Sequence, residues 1–333
     1  MGRKLTIEAD TTLTPVPFDP ELTKAAIFER GPWPHQLSAE EIAAMRERIA
    51  GERPPLETLL EGRAVTYEER TIPGPAGAPD VLVSIYRPTA TQPAHPGIFW
   101  IHGGGMMLGT HLDAAPELMD AAERFGTVGV SVDYRRAPET QDPGPRQDCY
   151  AGLEWMAENA AELGLDPDRI LIWGPSAGAG LTAGVTLMAR DRGGPKLIGQ
   201  LLNSPMIDDR DQSLSTRQYD GLGTWDRTMN LTGWGALLGD RRGGEDVSPY
   251  AAPARCADLS GLPPTFIEVG AAEPFRDEAI DYANRIWASG GDAELHVWRG
   301  CYHGYNVYAP EARVSKITEE ARFSWLDRII NAH

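Results

Sequence analysis

The chain has 333 residues and a formal net charge of −17 at pH 7. This acidic balance argues against nucleic acids and anionic membrane surfaces as partners. The length suits one large α/β domain with a lid, or two domains, and 41% hydrophobic residues allow a substantial core. The 3 cysteines are far apart, so no disulfide framework is expected. Neither a secretory signal nor a membrane span is visible, which predicts a cytoplasmic protein.

Two helices are predicted before any strand pattern begins. Asp19 and Pro20 are typical of an N-cap and a first helical position, and they predict a helix that runs to about Arg30. Ser38 and Glu41 have the spacing of a capping box. Apolar residues at helical spacing follow them, which predicts a second, amphipathic helix.

From residue 63 onward, strand patterns alternate with helical ones. Strands are expected at about 63–72, 80–88, 96–105, 126–135, 166–174, 197–205, 263–270 and 293–300, and helices at 142–164, 176–191, 277–290 and 319–333. The first two strands alternate as antiparallel strands do, and the next two are short apolar runs typical of buried parallel strands. The alternation predicts an α/β fold, a mostly parallel doubly wound sheet with helices on both faces. The segment 206–259 interrupts it and is expected to form an inserted lid.

A single serine, Ser176, lies between small residues where a strand is predicted to end and a helix to begin. The sequence GPSAG at 174–178 fits a nucleophile on a sharp turn, but it also fits a helix-capping serine. Glycines at 174 and 178 are expected because side chains there would collide with the neighbouring strand and helix. A serine hydroxyl reacts at neutral pH only with the help of a base. An acid and a histidine are therefore expected in later loops.

Both groups are present in the expected order. Glu273 follows one predicted strand, and His303 follows the last one. His303 would take the proton of Ser176, and the carboxylate would orient the imidazole. Asp277 competes for the role of the acid. Glu273 is favoured because it lies closer to the strand end, whereas Asp277 is better explained as the start of the following helix.

A run of glycines supplies the candidate oxyanion hole. Gly103, Gly104 and Gly105 follow His102, and without side chains their N–H groups can turn toward one point. Gly104 and Gly105 are the favoured donors, with Gly103 next, together with the N–H of Ala177. His102 is expected to orient this loop and not to take part in the chemistry.

Several large apolar side chains could wall a pocket for an apolar ester. The candidates are Trp33, Met106, Met107, Met206, Tyr219, Trp225 and Trp234. For each of them, packing in the core or in the lid is the alternative explanation. They indicate an apolar substrate without identifying it.

Together these motifs resemble the bacterial hormone-sensitive-lipase family of α/β-hydrolase carboxylesterases. The likeness spans roughly residues 60–330 and includes HGGG at 102–105, DYRRAPE at 133–139, GPSAG at 174–178, SPYAAP at 248–253, EPFRDE at 273–278 and HGY at 303–305. It implies hydrolysis of small to medium apolar esters without cofactor or metal. It also implies one α/β-hydrolase domain, 1–333, with a helical cap made by about 1–55 and 206–247. Relatives are often homodimers, sometimes through the last strand.

The chain departs from the family pattern at three positions. Pro175 stands where Asp or Glu is frequent, Glu273 where Asp is usual, and Arg136 where Leu is usual. None of these changes removes a catalytic group. Lactonases, amidases and deacetylases would use the same triad, so the motifs do not separate them. A non-catalytic receptor on this scaffold is disfavoured because His303 is present.

Overall fold

A computed structural model of the chain describes residues 13–25, 27, 33 and 35–332. The strands are β1 (Val65–Ile72), β2 (Val81–Pro88), β3 (His95–Ile101), β4 (Val128–Asp133), β5 (Leu165–Pro175), β6 (Leu197–Asn203), β7 (Thr265–Gly270) and β8 (Ala293–Trp298). They form one sheet in the order β1-β2-β4-β3-β5-β6-β7-β8. The pairs β1–β2 and β2–β4 are antiparallel, and every other pair is parallel. The predicted mostly parallel sheet is therefore confirmed.

Helices cover both faces of this sheet. They are α1 (Ala39–Glu52), α2 (Leu56–Leu60), α3 (Ala115–Phe125), α4 (Gly144–Glu158), α5 (Ala160–Leu163), α6 (Ala177–Arg192), α7 (Leu214–Gln218), α8 (Arg227–Leu238), α9 (Arg276–Ala288), α10 (Tyr305–Tyr308) and α11 (Arg313–Asn331). None of the helices in the described residues is both long and apolar enough to cross a membrane. The two helices α7 and α8 lie in the predicted insertion, between β6 and β7.

Two hydrophobic cores result from the alternation of side chains along the strands. On β3, Phe99 and Ile101 belong to the core shared with α4, α6 and α9, whereas Ile98 and Trp100 belong to the core shared with α3 and α11. All four side chains are almost fully buried. Because the central strands are parallel, their carboxyl ends meet at one edge of the sheet, and the loops that follow them converge there.

The first predicted helix is wrong in its length. Within the described residues of this segment the structure has a 3₁₀ turn, Leu22–Lys24, and the backbone is already extended at Ala25. Asp19 does begin the turn, because its carboxylate accepts the N–H two residues later at 2.8 Å. Leu22 is fully buried against the C-terminal part of the chain. Phe18 packs against the same cluster, and residues 26 and 28–30 lie outside the described part.

The other element boundaries differ less. The capping box of α1 is confirmed, since the Ser38 hydroxyl accepts the Glu41 N–H at 3.2 Å and the Glu41 carboxylate accepts the Ser38 N–H at 2.8 Å. The third strand ends before the glycines that were predicted to continue it, and α11 begins at 313, before the predicted 319. Helix α3 was not predicted, although its buried residues recur with helical spacing and Gly126 ends it in the left-handed conformation.

Candidate active site

Ser176 occupies the sharp turn between β5 and α6. Its φ of 57° and ψ of −122° are unfavourable for a residue with a Cβ, so neighbouring groups must hold it in place. Its N–H donates to the carbonyl of Asn203 at 2.7 Å, and its carbonyl accepts the N–H groups of Gly180 and Met206, each at 3.1 Å. The hydroxyl caps no N–H of α6 in the described chain, so the alternative of a capping serine is wrong.

The glycines on either side of this serine allow close approach, as predicted. A Cβ on Gly174 would lie 2.6 Å from the carbonyl carbon of Gly178 and 2.7 Å from the oxygen of Ile101. A Cβ on Gly178 would overlap the same Ile101 oxygen. Strand β3, the serine turn and the start of α6 therefore touch through their backbones.

A hydroxyl, an imidazole and a carboxylate are hydrogen-bonded in series at this turn. The Nε2 of His303 lies 2.9 Å from the Oγ of Ser176. The Nδ1 of the same ring lies 2.8 Å from Oε2 of Glu273. Because a carboxylate only accepts, Nδ1–H is the donor to Glu273, which leaves Nε2 free to accept the serine proton. This tautomer is the one that a general base for Ser176 requires.

All three side chains come from the carboxyl ends of parallel strands. Ser176 follows β5, Glu273 lies between β7 and α9, and His303 follows β8. The ring of Phe275 packs edge-on against the imidazole, with centroids 5.0 Å apart. Glu273 is 1% exposed, so its bond to His303 is shielded from water.

Asp277 points away from this series. It lies in the first turn of α9, as predicted, but its carboxylate accepts the backbone N–H of Ser215 on α7 at 2.8 Å. The neighbouring Glu278 is buried and accepts the N–H of Ile207 at 3.0 Å. Burial raises the pKa of Glu278 well above its usual value. The two acids join α9 to the insertion that carries α7.

The glycine loop, residues 102–109, lies against the serine turn. A Cβ on Gly103 would lie 3.4 Å from that of Ser176. Gly104 and Gly105 have φ of 103° and 64°, a conformation that favours glycine. Among the described residues, the N–H groups of Gly103, Gly104, Gly105 and Ala177 donate to no protein acceptor. They are therefore available to an anion formed beside Ser176.

His102 holds this loop, as predicted. It is fully buried, its Nδ1–H donates to the Gly103 carbonyl at 2.8 Å, and its ring stacks on Tyr134 with centroids 4.1 Å apart. The Tyr134 hydroxyl donates to the His102 carbonyl at 3.0 Å. Burial lowers the pKa of His102 to about 4, so its imidazole is neutral at pH 7.

Two of the predicted pocket residues lie beside the series. The benzene edge of Trp225 covers Gly105, where a Cβ would overlap it, and the indole lies 6.1 Å from the His303 ring. The indole N–H of Trp33 donates to the Thr224 carbonyl at 3.3 Å, and the Thr224 hydroxyl donates to the His303 carbonyl. These contacts bring the N-terminal segment and the insertion next to the glycine loop and to His303.

The remaining pocket candidates are buried. Met106, Met107, Met206 and Trp234 belong to the core that contains α6. The hydroxyl of Tyr219 donates to the carbonyl of Val16 at 2.8 Å. Tyr219 therefore anchors the N-terminal segment, and its place in a substrate pocket stays a prediction.

A buried polar network beneath Ser176 was not predicted from the sequence. The side chain of Asn203 accepts the Trp173 indole N–H at 2.5 Å and donates to Glu268. Glu268 also forms an ion pair with Arg322 of α11 at 3.0 Å, and both side chains are 7% exposed. The signal was present, because a carboxylate within the apolar strand FIEVG requires a buried partner.

Comparison with known proteins places this site in a family. A family model described as alpha/beta hydrolase fold matches residues 98–307. The chain belongs to the α/β-hydrolase-fold family. The matched segment holds the glycine loop and all three groups of the hydrogen-bonded series.

This hydrolase is similar to named esterases over most of its length. It is 37% identical to carboxylesterase NlhH of Mycobacterium tuberculosis over 82% of this chain and 84% of the relative. It superposes on a bacterial heroin esterase with a TM-score of 0.85 and 35% identity, covering 94% of this chain and 98% of that one. For the esterase LipW from Mycobacterium marinum the TM-score is 0.81 and the identity 33%, over 92% and 96% of the chains. The resemblance to hormone-sensitive-lipase-type carboxylesterases is confirmed at this level, and the chain is an enzyme of the carboxylesterase class.

Proposed function

We propose that this hydrolase cleaves carboxylic esters by nucleophilic attack of Ser176. His303 removes the hydroxyl proton as the oxygen adds to the ester carbonyl, and it then protonates the departing alcohol. Water hydrolyses the resulting acyl-serine by the same route in reverse. The observation that carries the proposal is the unbroken series Ser176–His303–Glu273, with separations of 2.9 and 2.8 Å.

The oxyanion of the tetrahedral intermediate is stabilised by backbone N–H groups. Gly104 and Gly105 are the principal donors, with Gly103 and Ala177 beside them. Two observations on position support this assignment. In the described residues these N–H groups have no protein acceptor, and Gly103 lies against the nucleophile. Such preorganised donors act where negative charge develops in the transition state.

Substrates are small to medium apolar esters bound beneath a cap. One α/β-hydrolase domain spans 1–333, with the cap formed by about 1–55 and 206–247. This proposal is supported by the position of Trp225 over Gly105 and by the Trp33–Thr224–His303 contacts. Trp33, Met106, Met107, Met206, Tyr219 and Trp225 line that pocket.

The hydrolase acts in the cytoplasm. The three cysteines are buried and free, as in proteins of reducing compartments.

The hydrolase also forms a homodimer through β8. Strand β8 pairs only with β7 within the described sheet and carries Val297, which is 40% exposed, on an open edge. Light scattering tests the dimer, since a mass of 36.3 kDa in solution would exclude it.

The decisive experiment replaces the nucleophile. Ser176→Ala is expected to lower kcat for p-nitrophenyl butyrate by about 10⁴-fold or more and to abolish labelling by an organophosphonate. Ser324→Ala is the matched control, because Ser324 is exposed on α11. If Ser176→Ala retains more than about a tenth of the activity, the mechanism is wrong.

A further inference from the structure

Six backbone carbonyl groups of the glycine loop accept hydrogen bonds from surrounding donors. The acceptor–donor pairs are His102 with the Tyr134 hydroxyl at 3.0 Å, Gly103 with His102 Nδ1 at 2.8 Å, Gly104 with the Leu108 N–H at 2.8 Å, Met106 with the Ala137 N–H at 2.9 Å, Met107 with Arg46 Nε at 2.7 Å, and Gly109 with Arg136 Nη1. Fixing a peptide carbonyl also fixes the direction of the N–H on the other side of that peptide plane. The loop is therefore oriented through its carbonyls.

Alone among these donors, Arg46 comes from the N-terminal helix α1. Its Nε donates to the Met107 carbonyl at 2.7 Å, and its Nη2 donates to the Ala137 carbonyl at 2.6 Å. The same guanidinium makes a two-point pair with the Glu139 carboxylate, at 2.8 and 2.9 Å. The rigid planar fork of arginine suits this task, because one side chain reaches two carbonyls and a carboxylate at once.

The backbone that Arg46 holds is strained. Met106 has a φ of 64° although it carries a side chain, and it directly follows Gly105. The Met106 carbonyl accepts the Ala137 N–H, and Arg46 binds the carbonyls of both Ala137 and Met107. By holding the Met107 carbonyl, Arg46 fixes the peptide plane that carries the Leu108 N–H, and this N–H donates to the Gly104 carbonyl at 2.8 Å. The Gly104 carbonyl in turn shares its peptide plane with the N–H of Gly105. A conformation of this kind persists only where its surroundings over-determine it.

We propose that Arg46 is a positioning residue of the oxyanion hole, through which α1 aligns the N–H groups of Gly104 and Gly105. This inference rests on the proposed esterase function. The N-terminal helix then does more than cover the substrate, because it completes the catalytic arrangement from outside the sheet. Loss of Arg46 weakens binding of the transition state, whereas binding of the ground-state ester changes little.

The test compares four variants of the full chain. Arg46→Ala removes all the contacts, Arg46→Lys keeps the charge, and Glu139→Gln removes the ion pair while leaving both carbonyl contacts. Arg48→Ala is the matched control, since Arg48 lies on the same helix, is 60% exposed and, among the described residues, forms an ion pair with Glu52 alone, at 3.9 Å. Each is assayed for kcat and KM with p-nitrophenyl acetate and for inhibition by an aryl trifluoromethyl ketone, whose adduct with serine carries an oxyanion.

Arg46→Ala is expected to lower kcat about 10- to 100-fold with KM changed by less than about twofold. Affinity for the trifluoromethyl ketone should fall by a similar factor. Arg46→Lys should recover part of the kcat because an ammonium reaches one carbonyl but not both. Arg48→Ala and Glu139→Gln should resemble the wild type.

Three results would overturn the inference. One is an unchanged kcat in Arg46→Ala, and another is a raised KM with kcat intact, which would assign Arg46 to ester binding. The third is a loss in Glu139→Gln equal to that in Arg46→Ala. If Arg46→Ala does not fold, the lysine variant decides, and a wild-type kcat there contradicts the inference. A wild-type protein that neither hydrolyses esters nor reacts at Ser176 overturns the proposed function itself, which distinguishes the two failures.

Discussion

The carboxylate of Asp277 accepts the backbone N–H of Ser215 at 2.8 Å and so joins the first turn of α9 to α7. Glu273, four residues earlier, binds the imidazole of His303 instead. Two acids four residues apart therefore have different tasks. One orients a ring, and the other anchors the insertion above it.

Glu273→Gln is expected to reduce kcat by about 10²- to 10⁴-fold, because an amide no longer favours the required tautomer of His303. The free energy of unfolding should change little, since the side chain keeps its shape. Steady-state kinetics and urea unfolding measure the two effects. Normal turnover in this variant would mean that another group orients His303.

Asp277→Asn is expected to destabilise the protein by about 1 kcal/mol and to leave kcat within about threefold of the wild type. The charge-assisted bond to Ser215 weakens, but no group next to Ser176 is altered. Asp281→Asn is the control, because Asp281 lies on the same helix and is 64% exposed. If Asp277→Asn is inactive and Glu273→Gln is not, the acid has been assigned to the wrong residue.

The lowered pKa of His102 predicts that the free energy of unfolding decreases at acidic pH. Burial lowers its pKa from 6.5 to about 4, so the unfolded chain binds this proton more tightly than the folded one. The contribution of His102 to the free energy of unfolding is fully present above pH 6.5 and is lost as the pH falls toward 4. Between pH 7.5 and pH 5 the wild type should lose about 2 kcal/mol more than His102→Gln does.

Urea unfolding of both proteins at the two pH values measures this difference. Asp113 and Asp133 lie close enough to His102 to favour its charged form, and they remain in both proteins. If the free energy of unfolding falls equally in the wild type and the variant, burial of His102 does not control the loss of stability at acidic pH.

Trp225 is expected to limit the length of the acyl chain. Its ring fills the space over Gly105, beside the proposed oxyanion donors. Trp225→Ala should raise the ratio of kcat/KM for p-nitrophenyl octanoate over acetate by about 10-fold, because one or two accommodated methylenes contribute this much. Trp287→Ala, on the exposed surface of α9, is the control and should leave the ratio unchanged. An unchanged ratio in Trp225→Ala would place the acyl chain elsewhere.

Local patterns were sufficient to predict which side chains the fold brings together. A glycine-flanked serine at a strand end needs a partner acid and histidine, and chain order restricts these to few positions. The choice of Glu273 over Asp277 as the partner of His303 followed from distance to the strand end, and the hydrogen bonds agree with it. Each of these inferences depends on a few neighbouring residues and on the convergence of parallel strands.

Long-range contacts were beyond the reach of the sequence. In the sequence, Arg46 is one more polar residue on an amphipathic helix. No neighbouring residue indicates that it contacts Met107, which is 61 residues away. The helix predicted after Asp19 fails for a related reason. Leu22 docks against residues far away in the sequence, and no local pattern indicates that contact.

The ion pair beneath the nucleophile makes the site dependent on α11. A protein that stopped at residue 312 would retain Ser176, Glu273 and His303, but Glu268 would be left as a buried carboxylate without Arg322. The Asn203 carbonyl accepts the Ser176 N–H, and the Asn203 side chain donates to Glu268. Without Arg322, Glu268 would no longer hold Asn203 in a fixed position. Docking of α11 therefore secures the backbone that holds the serine, so esterase activity should appear only once this helix has packed against the sheet.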